Sequence, residues 1–388
     1  MRINTFFLNP FYMYSLSWIV AIFLYELEII KAFPKLSNSL LLFLLISIFY
    51  NLVLGKVINS CIKINTNNIT FRYDYFIFFI LSILWIVIFT AEGKIPLLEI
   101  LKKTGYIYSN FKGLKIITGI TFQLTYYFLV YFYSKYLLLK KKRYILFIGI
   151  LFLMLVLVYK RGPILLIMIS YVILNVSLVF KKRKLLLGVL ATIILLFLFG
   201  IFGNIRHGAR PLDTSMLKGI VNMNNSSKRK IDPFLWGYTY ATSPLSNLQY
   251  NISINNRQSS FKNFLLDDIV PLSISKRIFA ERKSNYKLLI KNLTVGTIYS
   301  KSYVNFNLLG MYMLMFFYSI YNLIVIKIIK NKHEIKIVSL TLLTLLNIFS
   351  IFDNMYNKSN FGQIIIIICI LLILKKIIKL GSDKNVKV

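Results

Sequence analysis

Histidine and cysteine are nearly missing: two of each in 388 residues. Cys61 falls near a short basic loop and Cys369 inside a long apolar run, so no disulfide framework can be built from them. His207 and His333 stand far apart, and no Cys-x-x-Cys, His-Glu-x-x-His or Asp-x-Asp spacing occurs, which leaves no dedicated metal cage. A Gly-x-x-x-x-Gly-Lys phosphate loop and a Gly-x-Ser-x-Gly elbow are also lacking. A nucleotide-driven pump and an elbow-type serine hydrolase are therefore not indicated, and no cofactor is expected. Acidic residues are scarce, with 13 Asp+Glu against 47 Lys+Arg and a formal net charge of +34. In a soluble chain such a balance would point to nucleic acid. Here only 15% of residues are charged and 57% are hydrophobic, where about 25% and roughly 45–50% are ordinary. With a mean hydropathy of +0.68, a membrane is the expected partner and nucleic acid is not.

What the chain has in abundance is long apolar runs. A spanning helix needs about 20 mostly apolar residues, and ten runs qualify: roughly 11–30, 38–55, 75–91, 116–138, 144–159, 163–180, 185–203, 303–326, 337–353 and 361–378. The expected fold is an all-α integral membrane protein, a polytopic bundle of about ten transmembrane helices with one large extracytoplasmic loop. Residues 1–203 hold spans one to seven, 204–302 the large loop, and 303–388 the last three spans with a basic tail. Ten spans place both termini on one side. The short loops and ends on that side, with Lys135, Lys375 and Lys376 at the adjoining ends of the fourth and tenth runs, hold 22 of the basic residues and those on the other hold 10. The positive-inside rule then puts both termini in the cytoplasm of a bacterial cell, with the protein multi-pass in its inner (cytoplasmic) membrane. The 15 basic residues of 204–302 have no vote, because long loops cross regardless of charge. Only Arg2 precedes the first run and no small-residue cleavage site follows it, so a cleaved signal peptide is not expected. No internal repeat of the transporter kind is seen.

Two outer loops are long enough to carry chemistry, 92–115 and 204–302. The second combines a net charge of +10 with many aromatic residues, among them Phe234, Trp236, Tyr238, Tyr240, Phe264 and Tyr286, which a disordered linker would lack. Its stretch 261–293 has helix-like spacing suited to lying on the membrane or capping the bundle. Its charge suits attachment to anionic headgroups, at about 1 kcal/mol per basic residue near the surface, and equally a phosphate-bearing substrate, since Arg grips phosphate oxygens in pairs.

By this topology ten of the thirteen carboxylates face outward, including Glu26, Glu28, Glu92, Glu99, Asp232, Asp267, Asp268 and Asp353. A general base must lie near the hydroxyl it deprotonates. Glu92 and Asp232 lead, because each sits where a loop meets apolar sequence; a solvated carboxylate or ion-pair partner is the competing reading. Arg161 opens the sixth span beside Pro163, near a helix N-terminus and so at a natural anion site. Arg206 and Arg210 follow the seventh span and share one face if that stretch is helical, with His207 between them; snorkelling at the membrane surface would explain them as well. Trp236 through Leu248 is aromatic and then hydroxyl-rich. Aromatic faces and hydroxyls suit sugar rings, with Trp236, Tyr238, Tyr240 and Asn247 as contacts, and an interfacial aromatic belt would look the same.

The chain resembles the O-antigen polymerase (Wzy) family, the oligosaccharide repeat-unit polymerases. The resemblance rests on Asn9-Pro10 with Trp18 and Tyr25, Gly93-Lys94-Ile95-Pro96-Leu97 in the third loop, Arg161-Gly162, Arg206, and Tyr240 through Leu248. It implies a membrane glycosyltransferase on the outer face of the cytoplasmic membrane, acting on undecaprenyl-diphosphate-linked oligosaccharides, with a chain-length regulator protein as a further partner. A hydroxyl of one lipid-linked unit would attack the anomeric carbon of the growing chain, and lipid diphosphate would leave. Arg161, Arg206 and Arg210 would stabilise that leaving group, and Glu92, Asp232 or His207 would act as base. No paired-arginine motif spans both outer loops, so Lys94, Lys102 and Lys103 are left without a role. Two other readings share features of the sequence. An O-antigen ligase or polyprenyl-phosphate-sugar glycosyltransferase has the same topology, with Glu26-Leu27-Glu28 resembling an acidic first loop. A lipid-linked oligosaccharide flippase should have shorter loops and more charge deep in the bundle.

Overall fold

A computed structural model describes residues 4–64, 73–102, 104, 106, 111–158, 161–179, 190, 194, 197, 200–201, 204, 210, 212–213, 215–221, 234–272, 274–275, 285–358, 368 and 372–374. Among these the fold is all-helical, without a strand. Helix α1 is Pro10–Glu26, α2 Asn38–Ile58, α3 Asp74–Glu92, α4 Pro96–Leu101, α5 Ile117–Leu139, α6 Arg143–Leu157 and α7 Arg161–Leu178. Then come α8 Ser215–Ile220, α9 Phe234–Ser253, α10 Phe261–Phe264 continued by a π-turn over Leu265–Ile269, α11 Ser300–Ile329 and α12 His333–Ile348.

Helices α2, α3 and α11 are long and apolar enough to cross a membrane, and Arg143–Leu157, Gly162–Leu178 and Ile335–Ile351 are shorter apolar helices. Large apolar side chains cover their outer faces, among them Phe49, Val57, Phe76, Phe79 and Leu146. Exposed apolar surface on this scale requires a cover. The chain is a helical membrane protein. The runs expected at 185–203 and 361–378 lie for the most part outside the described residues.

The packing centre is formed by α1, α5 and α12. Helix α1 lies against α2 and α12, α5 against α6 and α7, and α12 against α5 and α7. Local chemistry sets these elements. Asn9 caps α1, its side-chain oxygen accepting from the amides of Phe11 and Tyr12, with Pro10 at the first helical position. The Asn9 amide also donates to the Gly55 carbonyl at 2.9 Å, tying α1 to α2. Gly55 has no room for a side chain, since a Cβ there would fall 2.5 Å from the Tyr12 ring.

Helix α11 is broken. Phe306 and Asn307 leave helical geometry, Asn307 with φ 58° and ψ −158°, a region that is strained for anything but glycine. A Cβ on Gly310 would lie 2.5 Å from the carbonyl oxygen of Ser302, eight residues earlier, where a straight helix would separate them by about 12 Å. The chain therefore doubles back: 300–305 descends beside 308–329, and the second arm keeps the length of a span.

Candidate functional site

The reversal in α11 carries non-helical chain into the bundle. The Tyr299 hydroxyl meets that of Tyr14, which also donates to Ser47 at 3.2 Å. Ser47 lies about midway along α2. The Ile298 amide donates to the Ser350 carbonyl at 2.8 Å, and the Ser350 hydroxyl accepts from the indole of Trp18 at 2.9 Å, half-way along α1. The irregular segment 285–299 thus reaches the middle of α1 and α2 and there meets the 3-10 turn Phe349–Ile351, which leads into the irregular segment 352–358. Irregular backbone at such depth must find its hydrogen bonds inside the protein.

Asparagines supply them. Asn247 on α9 donates to the carbonyls of Leu293 and Val295 at 2.8 and 2.9 Å and accepts from the Leu289 amide at 2.9 Å. One turn on, Asn251 donates to the Lys287 carbonyl and accepts its amide. Asn354 donates to the Asp268 carbonyl at 2.8 Å and Asn357 to that of Asp267 at 2.5 Å. A primary amide offers the same donor and acceptor as a peptide group, so each of these residues replaces a missing backbone partner.

Between the segments and the π-turn lies a cavity of about 210 Å³, lined by Asp268, Leu272, Tyr286, Thr294, Gly296, Thr297, Ile298, Ser300, Lys301, Asp353, Asn354, Asn357 and Lys358. Below it Tyr318 donates to the Asp268 carbonyl at 2.5 Å and stacks on Tyr356. Tyr356 in turn joins Asn322 and Asn347, beside a void of about 10 Å³, room for about one water. Asp353 pairs with Lys358. Asp268 is fully buried; one carboxylate oxygen accepts from Asn305 at 3.3 Å, and the other, Oδ1, has no hydrogen-bond partner. Burial holds its pKa well above the usual carboxylate range, opposed by the Asn305 hydrogen bond and by the charge of Lys301. A π-turn supplies this carboxylate, and such turns frequently mark functional sites.

The residues singled out from sequence lie elsewhere or outside the described residues. Asp232, Arg206 and His207 are among the latter, as is the side chain of Arg161, whose backbone opens α7. Arg210 is exposed. Glu92 closes the third loop on itself, accepting from the Gly113 amide at 2.6 Å and from the Tyr106 hydroxyl at 3.5 Å; burial and the neighbouring Glu92 charge raise the Tyr106 pKa. Trp236 donates to Asn204 at 2.6 Å and Tyr238 accepts from the Ile29 amide at 3.2 Å. With Tyr240 they pack against Ile30, Leu217, Val221 and Leu293. Asn247 holds the cavity wall through backbone bonds. Position between loop and apolar sequence favours Glu92 and Asp232 over the cavity's own carboxylates. The signal for them was the adjacent pair Asp267-Asp268 in a loop with only five acidic residues. No cluster of three or more potential metal ligands occurs among the described residues.

No protein-family model, curated protein or solved structure matches the chain.

Proposed function

We propose that the protein is a membrane glycosyltransferase that polymerises undecaprenyl-diphosphate-linked oligosaccharide repeat units into an O-antigen or capsule-like polysaccharide. It would work on the outer face of the bacterial cytoplasmic membrane, with about ten spans, both termini inside, and a chain-length regulator as partner. The observation that carries this reading is the cavity, where a buried carboxylate with one oxygen free is held by chain that leaves helical geometry inside an apolar bundle. A hydroxyl attacking an anomeric carbon needs a base in a site closed to bulk water. The arginines Arg161, Arg206 and Arg210 remain the groups suited to the departing diphosphate.

The test is deletion of the gene, with the surface polysaccharide resolved by gel. Loss of polymerisation leaves a single repeat unit attached. A ligase defect would leave no polymer attached while free polymer accumulates, and normal chain lengths would overturn both readings. A lipid-linked oligosaccharide flippase is the second reading. It is favoured by two interrupted segments meeting deep in the bundle, as they do around transporter sites; its loss would trap lipid-linked units on the cytoplasmic face.

A further inference from the structure

The charges lining the cavity balance. Asp353 is paired with Lys358, and Asp268 has Lys301 as its nearby positive charge. Two carboxylates and two lysines leave the lining without net charge, so a diphosphate gains little here. The rest of the polar lining is hydroxyl and amide, from Thr294, Thr297, Ser300, Asn354 and Asn357. Paired donors and acceptors without net charge suit a neutral ligand rich in hydroxyl groups, and the volume admits a sugar ring. Asp268 Oδ1, like Asn354 Oδ1 and the Tyr286 hydroxyl, lacks a hydrogen-bond partner in this wall, and leaving a buried carboxylate oxygen unpaired costs free energy unless a ligand completes it.

Building on the glycosyl-transfer reading, we infer that this cavity receives the sugar of the acceptor unit, and that Asp268 Oδ1 takes the proton from its attacking hydroxyl. The hydroxyl oxygen forms a bond to the anomeric carbon of the donor. The bond from that carbon to the lipid diphosphate breaks, its electron pair leaves with the diphosphate, and the hydroxyl proton passes to Asp268. Lys301 steadies the carboxylate before transfer. The diphosphate is placed outside the cavity. Asp268 joins Glu92, Asp232 and His207 as a candidate base and differs from Glu92 in carrying an oxygen without a hydrogen-bond partner on a residue that lines a polar cavity.

The experiment complements a deletion strain with wild type, Asp268→Asn and Asp268→Glu, reading membrane abundance by immunoblot and chain length by gel. Asparagine keeps the volume and an oxygen for Asn305, and it cannot accept the proton. Polymerisation is expected to fall by about 10²- to 10⁴-fold, leaving single repeat units at normal protein abundance. A wild-type ladder from Asp268→Asn, where deletion itself loses the polymer, overturns the base assignment and leaves the glycosyltransferase reading standing. A deletion strain with normal chains overturns the reading beneath it. Should the asparagine variant not reach the membrane, Asp268→Glu decides. In membranes carrying the host's own lipid-linked units, a displaced acid limb of the pH–rate profile supports the inference, and an unmoved one overturns it.

Discussion

The hydroxyl groups of Tyr14 and Tyr299 lie 2.5 Å apart, joining residues separated by most of the chain. Through this bond, with Ser47 behind it, α1 and α2 hold the non-helical segment that enters the bundle before α11. Both rings are buried. Removing the Tyr14 hydroxyl takes away the partner of Tyr299, at about 1–3 kcal/mol, whereas removing the Tyr299 hydroxyl leaves Tyr14 its bond to Ser47 and costs less. Tyr14→Phe and Tyr299→Phe are each expected to lower the unfolding temperature in detergent, and the double variant by less than the sum of the two. Additive losses would show that the hydroxyls do not depend on each other.

Asn247 and Asn251 are one helical turn apart on α9, and together they satisfy five backbone groups of residues 287–295. Leucine at Asn247 would preserve bulk and leave three of those groups unpaired in the interior. The segment is expected to detach locally while the span helices keep their packing. Hydrogen exchange followed by mass spectrometry should show faster exchange confined to about residues 285–299, together with loss of polymer. Unchanged exchange there would mean that the wall is held by other contacts.

The helical membrane class was legible in the sequence because it depends on run length and hydropathy alone, and the apolar runs 38–55, 75–91 and 303–326 fall within α2, α3 and α11. The break at Phe306–Asn307 was not. Neither position is proline or glycine, and the nearby Gly310 gives no hint of its close approach to Ser302; the strained turn is held from outside, where the Gln258 and Ser260 amides donate to the carbonyls of Val304 and Asn305, and Asn307 donates to Ser259. For the same reason the stretch from Trp236 to Leu248 looked like a sugar platform. Its hydroxyls at Thr239 and Thr242 instead bond carbonyls one turn back, and Asn247 is committed to a segment some 45 residues away. Asp268 could be counted in the sequence but not ranked, since its worth as a site residue comes from burial and from one oxygen without a partner.

A buried ion pair sits apart from the cavity, at the first turn of α3. Lys135 of α5 lies 3.6 Å from Asp74, whose two oxygens accept from Tyr131 at 2.9 Å and Tyr144 at 2.7 Å. Neither charge reaches solvent, so loss of one partner leaves the other uncompensated. Lys135→Met is expected to destabilise by about 3–5 kcal/mol, and pairing it with Asp74→Asn should recover much of that loss. Chain length on gels, taken at matched protein abundance, should be normal in the double variant. Polymer loss there would give the pair a role beyond packing.

Asp268 should make the fold less stable than it could be. Burial raises its pKa in the folded state, so the folded chain binds this proton more tightly than the unfolded chain, whose aspartates titrate at about 3.9. Where the folded state holds more protons, stability falls as pH rises, here from the unfolded range up through the folded pKa. Near neutrality the folded chain must either ionise a buried carboxyl or retain a proton that solution would remove, and both are costly. Asp268→Asn escapes both. It is expected to unfold at a higher temperature than wild type at pH 7–8, with the difference shrinking as pH is lowered toward 4, while polymerisation is lost. Thermal unfolding in detergent across that pH range measures it. A variant less stable than wild type at neutral pH would mean that Lys301 and Asn305 stabilise the ionised carboxylate by more than burial opposes it. Stability gained where activity is lost is the pattern expected when a charge is buried for chemistry.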